Sequence, residues 1–317
     1  MSRESISIIQ LEYAVALDTH RNFSKAAEFC HVTQPTLSIQ FKKLENSLGV
    51  VLFDRSRNPI IPTEFGVVFL QRARRILREL NQLSEEVNFM KEDISGEISI
   101  GVIPTIAPYL VPAFIGEFAQ QYPEVKIRVE EMLTYNIVKE LEKDKLDVGL
   151  IIGPMNSDAI EMNPLFYEEI QVYLNSSHPL LENSELDIWQ LQSKELWVLG
   201  KGHCFRDQIL NLCTLRNEEN SRNIRYESGS LDTLKRLVDV EGGFTLVPEL
   251  AVNTLSAEEK NRIRRIKGVK PLREVCLATA RTFCKSKMID LLAAFISESV
   301  PKSMLQKDRG RVVEWQS

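Results

Sequence analysis

Along the first fifty residues, apolar positions recur at helical spacing and polar residues mark the stops. Ile9, Tyr13, Ala16 and Leu17 share one face of a helix predicted over 5–19. Ser24 is placed to cap a short second helix, Lys25 to Cys30, and His31-Val32 makes a turn. Thr33 caps a third helix that carries Gln34-Pro35 in its first turn, where proline is tolerated, and ends at Gly49. Two helices joined by such a turn form a helix-turn-helix unit. Val51-Leu52-Phe53 and Pro59-Ile60-Ile61 read as short strands around Asp54-Arg55-Ser56-Arg57-Asn58, a hairpin wing with two arginines at its tip. A small helical bundle with a basic surface is the alternative.

From Thr63 the pattern changes. Phe69, Ala73, Ile76, Leu80, Leu83, Val87 and Met90 follow one another at alternating spacings of four and three, a heptad seam. Arg72, Arg74, Arg75, Arg78, Glu79, Glu85 and Glu86 occupy the other faces. The regular alternation favours a two-chain helix pair over a single amphipathic helix packed on its own domain. Ser95-Gly96 marks a break into a larger region where strands and helices alternate. Strands are expected at Ile98–Val102, Lys126–Met132, Asp147–Ile152, Phe166–Leu174, Leu196–Leu199, Phe244–Val247 and Glu274–Thr279. Helices are expected at Ile106–Gln121, Asn136–Lys143, Leu231–Val240 and Met288–Ser299. This order predicts an α/β region with parallel sheets and helices on both faces. In such folds ligands sit at the carboxyl ends of strands. Thr105, Thr134 and Gly200 to Cys204 each follow a strand and could line one cleft. Either threonine could equally be a plain helix cap.

Composition narrows the class. The chain has 317 residues, which suggests two or three domains, and is 44% hydrophobic and 26% charged, as globular proteins are. No apolar run reaches membrane-spanning length and the N-terminus lacks signal-peptide architecture, so a cytoplasmic chain with no membrane contact is expected. The net charge of −5 is uneven. Residues 1–78 hold 11 Lys and Arg against 7 Asp and Glu, a net of +4, and the rest of the chain is acidic. A basic front end suits a nucleic-acid module. In a helix-turn-helix the second helix enters the major groove by its N-terminal end. Here that end offers Thr33, Gln34, Pro35, Thr36 and Ser38 to base edges, with Lys42 and Lys43 one to two turns on, in reach of phosphates, and Arg55 and Arg57 on the wing. Such modules usually read two half-sites as dimers, which agrees with the heptad seam.

The candidate chemistry lies at Cys204 and Cys213, two of five cysteines. An odd number of thiols in an apparently cytosolic chain argues for buried or reactive cysteines, not a disulfide framework. Cys204 follows His203, precedes Arg206 and stands where a helix would begin. Cations and a helix N-terminus both favour thiolate. A thiolate oxidised to sulfenic acid condenses with a second thiol. Nine residues of straight helix rise about 13–14 Å, whereas a disulfide needs Cα atoms within about 7 Å. The pair can therefore close only if the segment between refolds. The alternative is two incidental cysteines on a helix. A zinc site lacks both the CxxC spacing and a fourth ligand, so no metal is expected.

Ala26-Ala27, Val32-Thr33-Gln34-Pro35, Leu37-Ser38, Leu44-Glu45, Leu48-Gly49, Leu52-Phe53, Arg55, Thr63 and Gly66 resemble the LysR-type transcriptional regulators over the first 66 residues. Ile39 stands where many members carry a basic residue. Gly101 to Thr105, Pro108-Tyr109-Leu110, Gly202 to Gln208, Cys213 and Leu246 to Ala251, with Cys30, resemble the hydrogen-peroxide-sensing branch of that family. The resemblance implies a winged helix-turn-helix over 1–62 and a linker and dimerisation helix over 63–93. It implies a periplasmic-binding-protein-like effector region of two α/β subdomains, 96–167 with 270–300, and 168–269. The tail, 301–317, departs from the pattern and receives no role. Cys204 would be the peroxidatic cysteine and Cys213 the resolving one. Thr105, Thr134, His203 and Arg273 would shape the peroxide pocket, and Asp207 would help handle the proton. The implied partners are double-stranded promoter DNA, further copies of the chain in a homodimer or homotetramer, hydrogen peroxide as effector, RNA polymerase, and a glutaredoxin- or thioredoxin-type reductant. No cofactor and no enzymatic turnover are implied. Two other readings stay open: a regulator that binds a small metabolite in the cleft, and a thiol peroxidase. The Cys204–Cys213 cassette weighs against the first and the helix-turn-helix against the second.

Overall fold

The computed structural model describes residues 6–89, 94–155, 157, 159–192, 194–213, 229–281 and 287–315, without the side chains of 81, 82 and 84–89. The chain divides into two compact units: Met1–Asp93 with Lys143–Lys145, and Ile94–Glu142 with Leu146–Ser317.

In the first unit, local caps set the helix ends. α1 (Ile8–His20) starts at Ser7, which exchanges hydrogen bonds with Gln10 in a capping box. α2 (Phe23–Phe29) is capped by Asn22, whose carboxamide oxygen accepts from the Ser24 and Lys25 amides. The cap is therefore two residues earlier than the expected Ser24: the asparagine oxygen satisfies two orphan N–H groups at once. α3 (Gln34–Leu48) is capped by Thr33 and stops at Gly49, whose φ of 70° is the left-handed conformation that ends helices. The wing is β1 (Phe53–Asp54) paired antiparallel with β2 (Ile61–Pro62). Leu17, Leu37, Phe41, Leu44 and Phe53 are fully buried, with the Phe41 and Phe53 rings edge to face at 5.5 Å.

α4 (Glu64–Phe89) is the long helix expected from the heptad spacing. Its start belongs to the core of the first unit: Leu70 and Ala73 are buried, and Arg74 forms a buried ion pair with Asp18 of α1. Ala73 is thus already covered within its own unit and is withdrawn from the seam open to a second chain. Phe69 is half-buried beside the same core. Further along, Ile76 (52% exposed), Leu80 and Leu83 are uncovered. Met90 and the side chain of Val87 lie outside the described residues.

The second unit is built around two long strands. Its elements are β3 (Gly96–Val102), α5 (Ala107–Gln121), β4 (Val125–Glu131), α6 (Thr134–Glu142), β5 (Val148–Gly153), β6 (Ile160–Leu174), β7 (Glu185–Leu186), β8 (Leu196–Trp197), α7 (Cys204–Leu212), α8 (Leu231–Glu241), β9 (Phe244–Pro248), α9 (Glu249–Asn253), α10 (Ala257–Lys260), β10 (Ile263–Ile266), β11 (Pro271–Ala280), α11 (Lys287–Glu298) and β12 (Arg311–Val312). The main strand order is β4-β3-β5-β11-β6-β10-β7; β12 joins β11, and β9 joins β6 and β8. β3 is parallel to β4 and β5, but β11 runs antiparallel to both its neighbours, β5 and β6. The sheet is therefore mixed, not parallel throughout. β11 comes from 118 residues after β5's end and enters between β5 and β6 from the opposite direction, a placement that alternation of elements alone does not encode. β6 pairs with β11 over its first part and with β9 and β10 over its last, so one strand serves two regions of sheet.

Candidate functional site

Cys204 is the first residue of α7 and Cys213 is its C-cap. Both are buried free thiols, Cys204 at 3% exposure and Cys213 at 0%. Gly202, with φ of 90°, turns the chain into the helix, a conformation that a β-carbon would strain. A full helix separates the two thiols, as the nine-residue spacing requires.

The cation beside Cys204 is Arg273, not His203 or Arg206. Arg273, on β11, is fully buried. One guanidinium nitrogen donates to the Thr105 hydroxyl at 2.9 Å and another lies 3.1 Å from a Glu168 carboxylate oxygen. The guanidinium also stands 4.5 Å from the centre of the Phe205 ring, a cation–π contact. Arg206 instead donates to the Leu199 carbonyl at 2.9 Å. His203 is buried, and burial pushes its pKa down, so it leans towards the neutral ring. Thr134 is the first residue of α6; its hydroxyl has no oxygen or nitrogen partner and stands beside the Cys204 sulfur. Neither threonine caps a helix with its hydroxyl: Thr105 accepts from Arg273 and Thr134 faces the thiol.

Burial pushes the Cys204 thiol up. Against it, the Arg273 charge, the Thr134 hydroxyl and the Phe205 amide favour thiolate, while Asp207 opposes. The net direction is upward, opposite to the thiolate-favouring setting expected from the neighbours in sequence. Desolvation of the sulfur outweighs one cation because the pocket is closed: Thr105 and Thr134 are 2% and 5% exposed. Burial also pushes Cys213 up to about 12. Asp207, one turn along α7, is half-buried, and its carboxyl is raised by that burial against the pull of Arg206.

Three contributors escaped the sequence reading. Glu168 faces Arg273 across the β6–β11 register, is 1% exposed, and accepts the Leu250 amide. Its signal was available: Glu168-Glu169 is an acidic pair inside a strand otherwise patterned for burial. Burial raises the Glu168 pKa, and Arg273 pulls it back. Tyr109 of α5 reaches Asp232 of α8 through its hydroxyl at 3.3 Å. Phe205 supplies the ring under the guanidinium.

In the first unit, Thr33, Gln34, Pro35, Thr36 and Lys42 are exposed and Ser38 is half-buried. The Thr33 and Thr36 hydroxyls share a hydrogen bond of 2.8 Å at the helix start. The two wing arginines differ. Arg55 is tied back to Glu45 and lies over the Phe23 ring at 5.1 Å, so it braces the domain and is not a free tip residue. Arg57 has a 67% exposed side chain, paired with Asp54.

Two family models match this arrangement: the bacterial regulatory helix-turn-helix of the lysR family over residues 8–67, and the LysR substrate binding domain over 91–301. The chain belongs to the LysR family of transcriptional regulators. Among LysR proteins it is 35% identical over 248 residues to a hydrogen peroxide-inducible genes activator of Haemophilus influenzae, covering 78% of this chain and 81% of that one. It is 36% identical over 247 residues to the DNA-binding transcriptional dual regulator OxyR of Escherichia coli, covering 78% and 80%. A full-length OxyR variant from Pseudomonas aeruginosa superposes with a TM-score of 0.78 at 31% identity, covering 92% of this chain and 98% of that one. As a LysR protein the chain is a DNA-binding transcription regulator: a winged helix-turn-helix, a linker helix and an α/β effector region. Among its described residues no group of metal-ligating side chains is assembled and no helix is long and apolar enough to cross a membrane.

Proposed function

We propose that this LysR regulator senses hydrogen peroxide through Cys204 and transmits the signal by pairing Cys204 with Cys213. The observation that carries the reading is the placement of the two thiols at opposite ends of α7, with the first inside a closed polar pocket. The Cys204 thiolate attacks one peroxide oxygen, the O–O bond breaks, and the departing hydroxide takes a proton and leaves as water. Asp207, one turn along α7 with its carboxyl raised by burial, is the group assigned to supply that proton. Arg273, Thr105, Thr134 and His203 orient the peroxide beside a sulfur that the protein covers almost completely. The sulfenic acid then meets the Cys213 sulfur, the S–S bond forms and a second water leaves. Closure unwinds α7, and an external dithiol reductant of the glutaredoxin or thioredoxin kind restores it.

The first unit binds promoter DNA, with Thr33, Gln34, Pro35, Thr36 and Ser38 at base edges and Lys42 and Arg57 at phosphates. The protein acts as a homodimer or homotetramer held in part by Ile76, Leu80 and Leu83 with the seam beyond them, and the oxidised form alters contact with RNA polymerase. Within the effector region, 96–167 with 270–300 and 168–269 act as two lobes around the cleft. Turnover is limited to sensing, so the chain is not an enzyme. Thiol counting during a peroxide titration, paired with hydrogen exchange, tests this. Two thiols should be lost per chain, none in Cys204→Ser, and amides 205–212 should lose protection. Equal protection before and after oxidation would mean that α7 does not refold.

A further inference from the structure

The tail after Pro301 lies beyond the matched effector model, yet it returns to the redox helix. Arg309 inserts into a buried acidic cluster, pairing with Glu249 and lying 3.9 Å from Glu169. β12 then runs parallel to β11 beside Pro271 and Leu272, adjacent to Arg273, with the Arg311 and Val313 amides donating to the Lys270 and Leu272 carbonyls. Val313 and Trp315 pack on the core, and the Trp315 indole N–H donates to the Ile152 carbonyl at 3.1 Å.

Two contacts reach α7. The Gln208 side-chain amide donates to the Val313 carbonyl at 2.8 Å, and the Asn211 amide donates to the Glu314 carbonyl at 2.9 Å. Gln208 is fully buried. Positions 208 and 211 share one helix face, three residues apart, and their donors meet two successive carbonyls. That register exists only while this stretch is helical. Closing a disulfide between Cys204 and Cys213 needs their Cα atoms within about 7 Å, half the rise of the intact helix, so it breaks the register.

We propose that residues 310–315 are a strap that holds α7 in its helical dithiol form, with Gln208 and Asn211 as positioning residues that set how readily Cys204 and Cys213 pair. The inference rests on the redox reading above. A strap that binds one form alone shifts the equilibrium towards that form; loosening it favours the disulfide. Its acceptors are backbone carbonyls, so the side chains of Val313 and Glu314 matter less than the path of the chain. Gly310 controls that path: a β-carbon there would stand 2.3 Å from the Lys270 carbonyl oxygen.

The test uses the full-length protein in Gln208→Leu, Gly310→Ala and a truncation after Arg309, with Lys302→Ala as an exposed control. The midpoint potential of the pair is read by thiol alkylation across a glutathione series. Each strap variant should favour the disulfide about tenfold, a shift of about 30 mV to more negative potential. Truncation combined with Gln208→Leu should add little to either alone. Amides 205–212 of the dithiol protein should exchange about tenfold faster in each strap variant. An unchanged potential with unchanged exchange, or a shift to more positive potential, overturns the strap. Should the truncated chain fail to fold, the two point variants decide. Should the wild type form no disulfide at all, the redox reading falls, and exchange rates alone decide whether the strap holds α7.

Discussion

Replacing Arg273 by methionine removes the cation around which the pocket is organised. The side chain is fully buried, and so is Glu168, whose carboxylate oxygen stands 3.1 Å away. Removing one partner of a buried pair leaves the other charge uncompensated, at a cost of about 3–5 kcal/mol. Methionine preserves volume and keeps the contact with Phe205, so the loss reports charge more than packing. Glu168→Gln alone should also destabilise, because Arg273 keeps its charge in the same dry site. In the double variant neither charge remains, so it should recover at least about 2 kcal/mol relative to the sum of the singles. Urea unfolding under reductant, followed by tryptophan fluorescence, is a suitable assay: Trp189, Trp197 and Trp315 all belong to the second unit. The pH dependence carries its own sign. Burial already raises the Glu168 pKa above its ordinary 4.5, and Arg273 opposes that rise. Without Arg273 the folded-state value climbs further. The variant's deficit should therefore be smallest near and below pH 4.5, where Glu168 is protonated in both states, and should grow as pH rises through the folded value. A loss under about 1 kcal/mol, or additive single variants, would refute the reasoning.

The rate of peroxide reaction at Cys204 should rise with pH from neutral to alkaline, because burial raises its pKa and only the thiolate reacts; a flat profile from pH 6 to 9 would contradict the assignment. Thr134→Val should move that profile to higher pH by removing the hydroxyl that favours thiolate, and an unmoved profile would exclude this role. In the wing, Arg57→Ala should lower the salt slope of DNA binding by about 0.9, whereas Arg55→Ala should chiefly cost about 1 kcal/mol of domain stability through its contact with Glu45. Equal salt slopes in the two variants would reverse the assignment. Leu83→Asp places a charge on the uncovered stretch of α4 and should weaken self-association in sedimentation; an unchanged oligomer would remove Leu83 from the interface.

The legibility of each element in the sequence follows from the range of the interactions that fix it. The helix-turn-helix was legible because caps and apolar spacing act within a few residues: Thr33, Pro35 and Gly49 bound α3 as expected. The seam on α4 was legible in its length but not in its partner. Ala73 serves the same chain, because α1 and the Asp18–Arg74 pair cover that stretch. Sheet direction was not legible. β11 joins β5 and β6 across long sequence separations, and only the closed unit fixes that it runs antiparallel to both. The tail was opaque for the same reason: its amide and carbonyl contacts with residues 152, 208, 211 and 270 have no counterpart in local pattern.

At the site, residue identities were legible while their electrostatics were not. Thr105, Thr134, Cys204 and Arg273 do meet around one sulfur or one guanidinium, while His203 is placed beside them only by chain adjacency; the sign at Cys204 turns on burial, which comes from the whole unit. A thiol flanked in sequence by histidine and arginine reads as acidic; in the fold the histidine leans neutral, the arginine binds a carbonyl, and the remaining cation is half-committed to Glu168. The consequence is a thiol held mostly protonated at rest, with its thiolate-favouring groups already in place. Arg273, Thr134 and the Phe205 amide act on negative charge only when it forms, so their contribution falls on the ionised sulfur and, in the proposed reaction, on the peroxide oxygens that accept charge as the O–O bond breaks. In the sensing reaction proposed above, burial of Cys204 disfavours bulky oxidants and electrophiles, while the polar groups beside it favour a small one. On the proposed chemistry, selectivity for a small oxidant and a modest resting ionisation both follow from one cause, the burial of Cys204 beside Arg273 of β11 and Thr134 of α6.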